Sequence, residues 1–559
     1  MAKMTGAQVM ADMLKGYDVS HVFMVPAVLR RSFAEMEFRT NIARVHAHGE
    51  KSAVYMADGY ARASGKPGVC MAQVVGAANL AAGLRDAFLA HSPIVAMTGG
   101  RDPNTKFRQV YQEIDDMPSF EPVTKWNATV DSVARFPDMI RQAFRIATTG
   151  APGPVHLQFR GNEGQVDQEE ADMEPLCEPQ FAQVPPFRPE PDMEAVQAAL
   201  KALQAAKQPV LVAGGGVRAS KAGAELVKLA EALNIPVATS LNGKDCIPGV
   251  HPLSVGVVGS YSRESANRVV AQADLVCFIG TTTNGMTTHF WAVPKIGTPA
   301  IQIDLNPTAL GRNYPLVAGV LGDAKKTLAK MVELADKGSA ATRKPWVEKV
   351  QGMVKEWYAK YNEQLNSDAA PINPARMVNE FTKNVPDDGI VIVDTGHAGM
   401  WMGGMYDLRT PSQSYIRSAG HLGWAFPAGI GAKAACPNRP VAVFTGDAGF
   451  WYHIGEIETA VRWKLNSVTI VNNNSGGNQS KRGFDRIYGG TQTDKGRELW
   501  TYTKNNFAKI AEDIGAIGMR VEKAADLAPA MHKAFKADRP VVIDVVTDIE
   551  ALAPTAVSG

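Results

Sequence analysis

Cysteine is scarce. The 559 residues hold five, Cys70, Cys177, Cys246, Cys277 and Cys436, widely spaced and without a Cys-x-x-Cys pair. An odd, scattered set excludes a disulfide framework and a cysteine zinc site, and leaves them as small buried apolar residues. Long apolar runs are missing too: none approaches the ~20 residues that a membrane-crossing helix needs. The N-terminus, Met1 to Ala7, leads into an amphipathic helical pattern and not into the apolar core of a secretory leader. Nor is there an excess of one charge, since 58 Lys+Arg stand against 56 Asp+Glu for a net +2. No basic run carries interleaved aromatics, so neither nucleic acid nor an anionic membrane is indicated as a partner. At 45% hydrophobic and 20% charged residues the composition is that of an ordinary globular protein, and a cytoplasmic location is the expectation.

The length suggests about three domains, and the chain divides accordingly. Residues 1–165 alternate strand and helix signals: Val22 to Val25, Gly68 to Ala72, Ile94 to Met97 and Pro154 to Leu157 read as strands with helical stretches between them, which predicts a parallel α/β sheet. From Glu163 to Asp192 the composition shifts to Pro, Glu and Gln, predicting an extended, solvated linker. A second α/β unit spans 193–335, opening on Val210-Leu211-Val212-Ala213-Gly214-Gly215-Gly216. A charged helix around Trp346 to Tyr361 leads to a third unit, 375–547. The expected fold class is therefore α/β, with three doubly wound parallel-sheet domains.

The third unit carries the most informative segment. An apolar strand, Val441 to Phe444, precedes Gly446-Asp447-Ala448-Gly449-Phe450; a second, Val468 to Val471, precedes Asn472-Asn473-Asn474, with Asn474 lying 27 positions after Asp447. This places hard oxygen ligands at the carboxyl ends of two strands, the edge of a parallel sheet where ligands bind. A carboxylate, an amide oxygen and a Gly-rich turn suit Mg²⁺ holding a phosphate group. Taken singly, a Gly-Asp-x-Gly turn and an Asn after a strand are common structural features. Together, in this order, they resemble the metal-diphosphate signature of thiamine diphosphate (ThDP) enzymes of the decarboxylase and acetolactate synthase-like superfamily. The resemblance implies Asp447, Asn474 and the carbonyl of Gly476 as metal ligands. Ala448 stands where the family more often has Gly.

A second motif agrees. Val45-His46-Ala47-His48-Gly49-Glu50, followed by Asp58-Gly59-Tyr60-Ala61-Arg62-Ala63, is similar to the family segment whose Glu activates the cofactor through its aminopyrimidine ring. That role needs a desolvated carboxyl able to share a proton, and Glu50 matches by its offset. A lone Glu at a helix start is otherwise a surface residue that satisfies the helix dipole. The resemblance further implies Leu422, in Gly420-His421-Leu422-Gly423, as the wedge beneath the cofactor, with the Gly420 carbonyl as an acceptor. It implies backbone donors to the diphosphate around Gly396 and His397, and at Ala448 and Gly449. It places Gly76 and Asn79 in a loop lining the site, and gives Gln112 a catalytic role at the reacting carbon.

Substrate-facing candidates are Val25, Tyr111, Trp424, Trp451 and His453. No titratable group occurs in Met24 to Val28, where family members often carry a catalytic His, so ligation or lyase chemistry is expected over simple decarboxylation. The implied function is a ThDP- and Mg²⁺-dependent carboligase or lyase acting on a 2-oxo acid or 2-hydroxy ketone, with an aldehyde or ketone acceptor. A 2-hydroxyacyl-CoA lyase or oxalyl-CoA decarboxylase, and a non-catalytic ThDP-binding homologue, are the alternatives. Relatives seat FAD or ADP in the middle domain, and Gly214 to Gly216 with Asp304 could do so here, but a flavin-free domain is favoured. A homodimer or homotetramer is expected, with sites at the subunit interface. Ser475 to Trp500, rich in Gly, Asn and Lys, reads as a lid.

Overall fold

The computed structural model describes residues 2–557. Strands Gly68–Ala72, Ile94–Gly99, Leu275–Ile279 and Ile390–Val393 are buried along their whole length, as strands must be when helices cover both faces of a parallel sheet. They belong to three six-stranded sheets in which every pairing is parallel. The first runs Ala43–His46, His21–Met24, Gly68–Ala72, Ile94–Gly99, Val155–Phe159, Trp126–Val130; numbered along the chain, its order is 2-1-3-4-6-5. The third runs Ser414–Arg417, Ile390–Val393, Val441–Gly446, Val468–Asn473, Val541–Val546, Ile517–Val521, again 2-1-3-4-6-5. No repeat is visible in the letters, because a buried parallel strand asks only for apolar residues and many sequences supply them. The middle sheet has the order 3-2-1-4-5-6, that of dinucleotide-binding folds.

The first and third domains meet through equivalent helices, Glu50–Ser64 and Ala425–Ala435, each following the second strand of its sheet. Glycines let the two backbones touch: a Cβ on Gly59 would fall on the carbonyl of Ala428, and one on Gly431 would fall on the carbonyl of Met56. Met56, Ala57, Phe426 and Ile430 close the contact as one apolar cluster. Because the obstacle at Gly431 is backbone, Gly431→Val is expected to destabilise the protein by about 1–3 kcal/mol or more. A shifted urea midpoint checks this, and an unchanged midpoint would contradict the contact.

The segment after Glu163 departs from the expected solvated linker. Glu170–Met173 pairs antiparallel with Ala2–Thr5, and Val166, Met173 and Phe181 are buried against the first domain. A few apolar anchors suffice to dock this segment, although Pro, Glu and Gln dominate its average composition. The long helix Lys344–Leu365 spans two cores. Its Trp346, Val350 and Met353 pack in the middle domain, while Trp357, Tyr361 and Leu365 pack in the third. Cys70, Cys246 and Cys277 are buried and no cysteine is paired. Among the described residues no helix is long and apolar enough to cross a membrane.

Candidate active site

In the third sheet the chain order switches between strands Ile390–Val393 and Val441–Gly446, opening a crevice at their carboxyl ends. Asp447 starts the helix Asp447–Trp451 there and is 3% exposed. Its Oδ1 accepts from the Ala448 N–H at 2.7 Å and its Oδ2 from the Gly476 N–H at 3.1 Å. The same Gly476 N–H donates to Asn474 Oδ1 at 3.1 Å, so a carboxylate and an amide oxygen from adjacent strand ends converge on one point. Burial pushes the Asp447 carboxyl up to about 7, opposed only by backbone N–H groups. A buried carboxylate without a countercharge fits a cation. Among the described residues no cluster of three His, Cys, Asp or Glu side chains could hold a metal unaided. A cation at Asp447 would therefore complete its shell with neutral oxygens and a ligand's oxygens, as Mg²⁺ does with phosphates.

The surrounding loops fit a diphosphate. A Cβ on Gly420 or Gly446 would meet nothing within 4 Å, and one on Gly396 only Leu422 Cδ1 at 3.8 Å and Gln479 Cβ at 4.0 Å. The space beside Leu422 is thus open, and Leu422 itself is half-buried. His397 Nε2 accepts from the Ala553 N–H at 2.9 Å, which puts the ring proton on Nδ1. Nδ1 is buried and has no partner among the described residues, and burial lowers the imidazole to about 4. A neutral ring with an unused N–H is suited to a phosphate oxygen. Ala448 departs from expectation, because its N–H is already held by Asp447. Gly449 has a packing role: a Cβ there would lie 2.8 Å from Asp394 Oδ2.

Two carboxylates not singled out from the sequence organise these loops. Asp394, fully buried and pushed up to about 6 by that burial, accepts from Thr395 N–H (2.8 Å), Gly423 N–H (3.1 Å) and Thr445 O–H (3.0 Å). Asp86, reaching over from the first domain, accepts from the N–H groups of Ala419, Gly420 and His421 at 2.9, 3.1 and 3.0 Å, and from Ser418 O–H at 2.8 Å. It fixes the turn that presents Leu422. No local spacing in the sequence signals which distant segments either of them joins.

On the other side, Glu50 opens its helix at the end of strand Ala43–His46. Asn79 Nδ2 donates to Glu50 Oε2 at 3.2 Å, and a Cβ on Gly76 would overlap the Glu50 carboxylate, so only glycine leaves it room. Gln112 joins through Gln73, whose Nε2 donates to Gln112 Oε1 at 2.9 Å. The desolvation expected of Glu50 is not supplied within one chain: Glu50 is half-buried and Asn79 exposed. Among the described residues no hydrogen bond links Glu50 to the diphosphate side. Val75, Tyr111 and Ile114 beside it are 54%, 78% and 59% exposed.

Trp424 does not face a substrate. It is fully buried, its Nε1 donates to Asp58 at 2.8 Å, and the Arg62 guanidinium lies 5.0 Å from its ring. Gly423, at φ +85°, turns the chain so that Trp424 enters the domain contact. His453 also sits at that contact, bonded through Nδ1 to Ser52 Oγ at 2.8 Å, and His48 pairs with Glu458. Trp451 and Tyr111 stay accessible, and Val25 is half-buried. The segment after Ser475 folds as helices Asn478–Ile487 and Asp494–Arg497, closed at its base by Gly477 N–H to Trp500 O and Tyr502 N–H to Ser475 O. In the middle domain, Gly214 and Gly216 lie against Gly280 so closely that neither tolerates a Cβ. Asp304 caps its own turn through Asn306 N–H. Close packing on Gly280 is one requirement that glycine meets in that turn.

Three family models match in succession: the N-terminal TPP binding domain of thiamine pyrophosphate enzymes over residues 4–119, their central domain over 196–331 and their C-terminal TPP binding domain over 394–545. The chain is 31% identical to a probable acetolactate synthase large subunit of Methanococcus aeolicus, over 98% of this chain and 92% of the relative. It is 28% identical to the acetolactate synthase large subunit of Haemophilus influenzae, over 100% and 97%. A putative thiamine pyrophosphate-containing protein of Bacillus subtilis, YdaP, is 28% identical over 99% and 93%.

Proposed function

The chain belongs to the thiamine pyrophosphate enzymes, and from that premise we propose that it is a Mg²⁺-dependent carboligase of the acetolactate synthase kind. It takes a 2-oxo acid or 2-hydroxy ketone as donor, breaks the bond beside the carbonyl, and joins the retained fragment to an aldehyde or ketone. The relatives named above favour this over an acyl-CoA lyase. The observation that carries the reading is the convergence of buried Asp447 and Asn474 on Gly476, beside the open space under Leu422.

When bound, thiamine diphosphate supplies an electron sink at its thiazolium carbon. The chain's own residues do the rest. Asp447, Asn474 and the Gly476 carbonyl would hold Mg²⁺, and His397 Nδ1–H and the backbone around Gly396 and Gly449 would receive the diphosphate. Leu422 gives the cleft an apolar floor. With the cofactor bound, Glu50 would hold or give up a proton at a carboxyl oxygen, and Gly76 and Asn79 orient that carboxyl. Gln112 is placed to donate to an oxygen developing negative charge on the substrate.

Glu50 and Gln112 sit on an edge with exposed Val75, Tyr111 and Ile114; the diphosphate side exposes Tyr452 (57%) and Tyr502 (44%). Both rims await a cover, which supports a homodimer or homotetramer in which the two halves come from different copies and Glu50 becomes desolvated. The test is NMR product analysis after incubation with ThDP, Mg²⁺ and pyruvate, with and without an added aldehyde. Acetolactate or a mixed 2-hydroxy ketone is expected. Pyruvate left unconsumed in both arms would overturn the 2-oxo acid donor.

A further inference from the structure

Helix Asn478–Ile487 opens directly after the metal loop, with one face secured and a neighbouring one left without partners. On the secured face Asn478 Nδ2 donates to Ile549 O at 2.7 Å, and Lys481 Nζ pairs with Asp485 and Glu550 at 3.0 and 3.1 Å. The face turned about 100° from it carries Gln479, Arg482 and Arg486, at the three- and four-residue steps that line up along a helix. Gln479 borders the cofactor cleft: a Cβ on Gly396 would lie 4.0 Å from its Cβ and 3.8 Å from Leu422 Cδ1. It is exposed, and its amide has no hydrogen-bond partner among the described residues.

Arg482, one turn along, is half-buried. Its Nη2 donates to Ala553 O at 2.5 Å, and the N–H of the same residue donates to His397 Nε2 at 2.9 Å. The guanidinium is thereby held on the Nε2 edge of the imidazole, whereas Nδ1 is the atom assigned above to the diphosphate. Among the described residues no carboxylate pairs with Arg482 or Arg486; the nearby acids Asp485 and Glu550 serve Lys481 and Arg497. Burial and the Arg486 charge both push the Arg482 guanidinium down from its ordinary value, so this wall is complementary to an anion. That anion is not the donor's carboxylate. The donor's carboxylate leaves as neutral CO₂, and a cation gripping it would stabilise the ground state over the transition state. The charge is instead one that persists through ligation, on the acceptor. Gln479 and about 4.5 Å of helix rise separate Arg482 from the space beside Leu422, which places the charge away from the reacting carbonyl.

We propose that Arg482, with Arg486 a turn farther out, selects an acceptor aldehyde that bears a carboxylate remote from its carbonyl. Gln479 lines the stretch between the carboxylate and the reacting end. This specificity rests on the carboligase reading given above.

The experiment compares two acceptors on the holoenzyme with pyruvate as donor: succinic semialdehyde and butanal, which differ by a carboxylate in place of a methyl group. Arg482→Gln is expected to raise KM for succinic semialdehyde about tenfold more than KM for butanal, with ThDP affinity by calorimetry within a few-fold of the parent. Arg482→Lys, which keeps the charge, should recover part of the difference. Equal changes for both acceptors would overturn the assignment. So would a tenfold loss of ThDP affinity, which would give Arg482 to the cofactor. A second arm needs no turnover: calorimetry of the holoenzyme with succinate, which carries the remote carboxylate and no aldehyde. Saturable binding, weakened about tenfold by Arg482→Gln, is expected; no saturable binding, or binding indifferent to the substitution, would overturn the anion site. Succinate held through Arg482 without ligation of either aldehyde would refute the carboligase reading and leave the anion site standing.

Discussion

Glu50→Gln is expected to lower turnover by about 10²–10⁴-fold, the range for losing a positioned proton-transfer group, while ThDP binding changes by no more than a few-fold. The amide keeps the size of the carboxyl and an oxygen for Asn79 Nδ2, now 3.2 Å from Oε2, so the edge retains its shape. What it loses is the ability to take up and return a proton. Gly76→Ala should act in the same direction without altering any ionisable group, because its methyl group would occupy the space of the Glu50 carboxylate. Steady-state rates with calorimetric ThDP affinities check both. Turnover by Glu50→Gln within a few-fold of the parent would remove Glu50 from the mechanism.

The second large effect is expected at Asp447. Asp447→Asn should abolish Mg²⁺-dependent ThDP binding, a loss of at least about 10²-fold, while leaving the metal-free protein as stable as before. The asparagine retains an oxygen for the Ala448 N–H, and the Gly476 N–H, which loses Oδ2, keeps Asn474 Oδ1 as its acceptor. It also removes a negative charge that burial disfavours, as the rise of this carboxyl to about 7 shows. Folding thus gains or holds while the cation loses its only charged ligand. Calorimetry with and without Mg²⁺, beside thermal melts of the metal-free protein, separates the two effects. Unchanged affinity would exclude Asp447 as a ligand, and a lower melting temperature would show that its charge supports the fold.

Much of this was legible one segment at a time. Asp447 and Asn474 stand out because each follows an uninterrupted apolar strand, and the end of a buried parallel strand is where a ligand-binding turn must emerge. Glu50 is legible from its offset within the motif, at the junction of a strand and a helix. Asp86 is not, since the groups it holds lie on another domain; Asp394 follows an apolar strand in the same way, but its partners Gly423 and Thr445 lie far along the chain. Trp424 shows the converse: beside Gly423 it reads as site-facing, and only the turn at that glycine and the close packing of two helices bury it against Asp58 and Arg62. The Glu163 to Asp192 stretch misleads through its average, because a few apolar side chains decide where it docks.

By itself the amino-acid sequence determined the α/β class, the succession of parallel strands and the chemical identity of the groups at their ends, because periodicity and strand-end chemistry are local properties. The tertiary structure alone decided the matching order of the first and third sheets, the glycine-mediated helix contact between them and the half-covered state of Glu50. Those depend on which distant segments come together, and that is settled by packing of whole surfaces and not by any one stretch of residues.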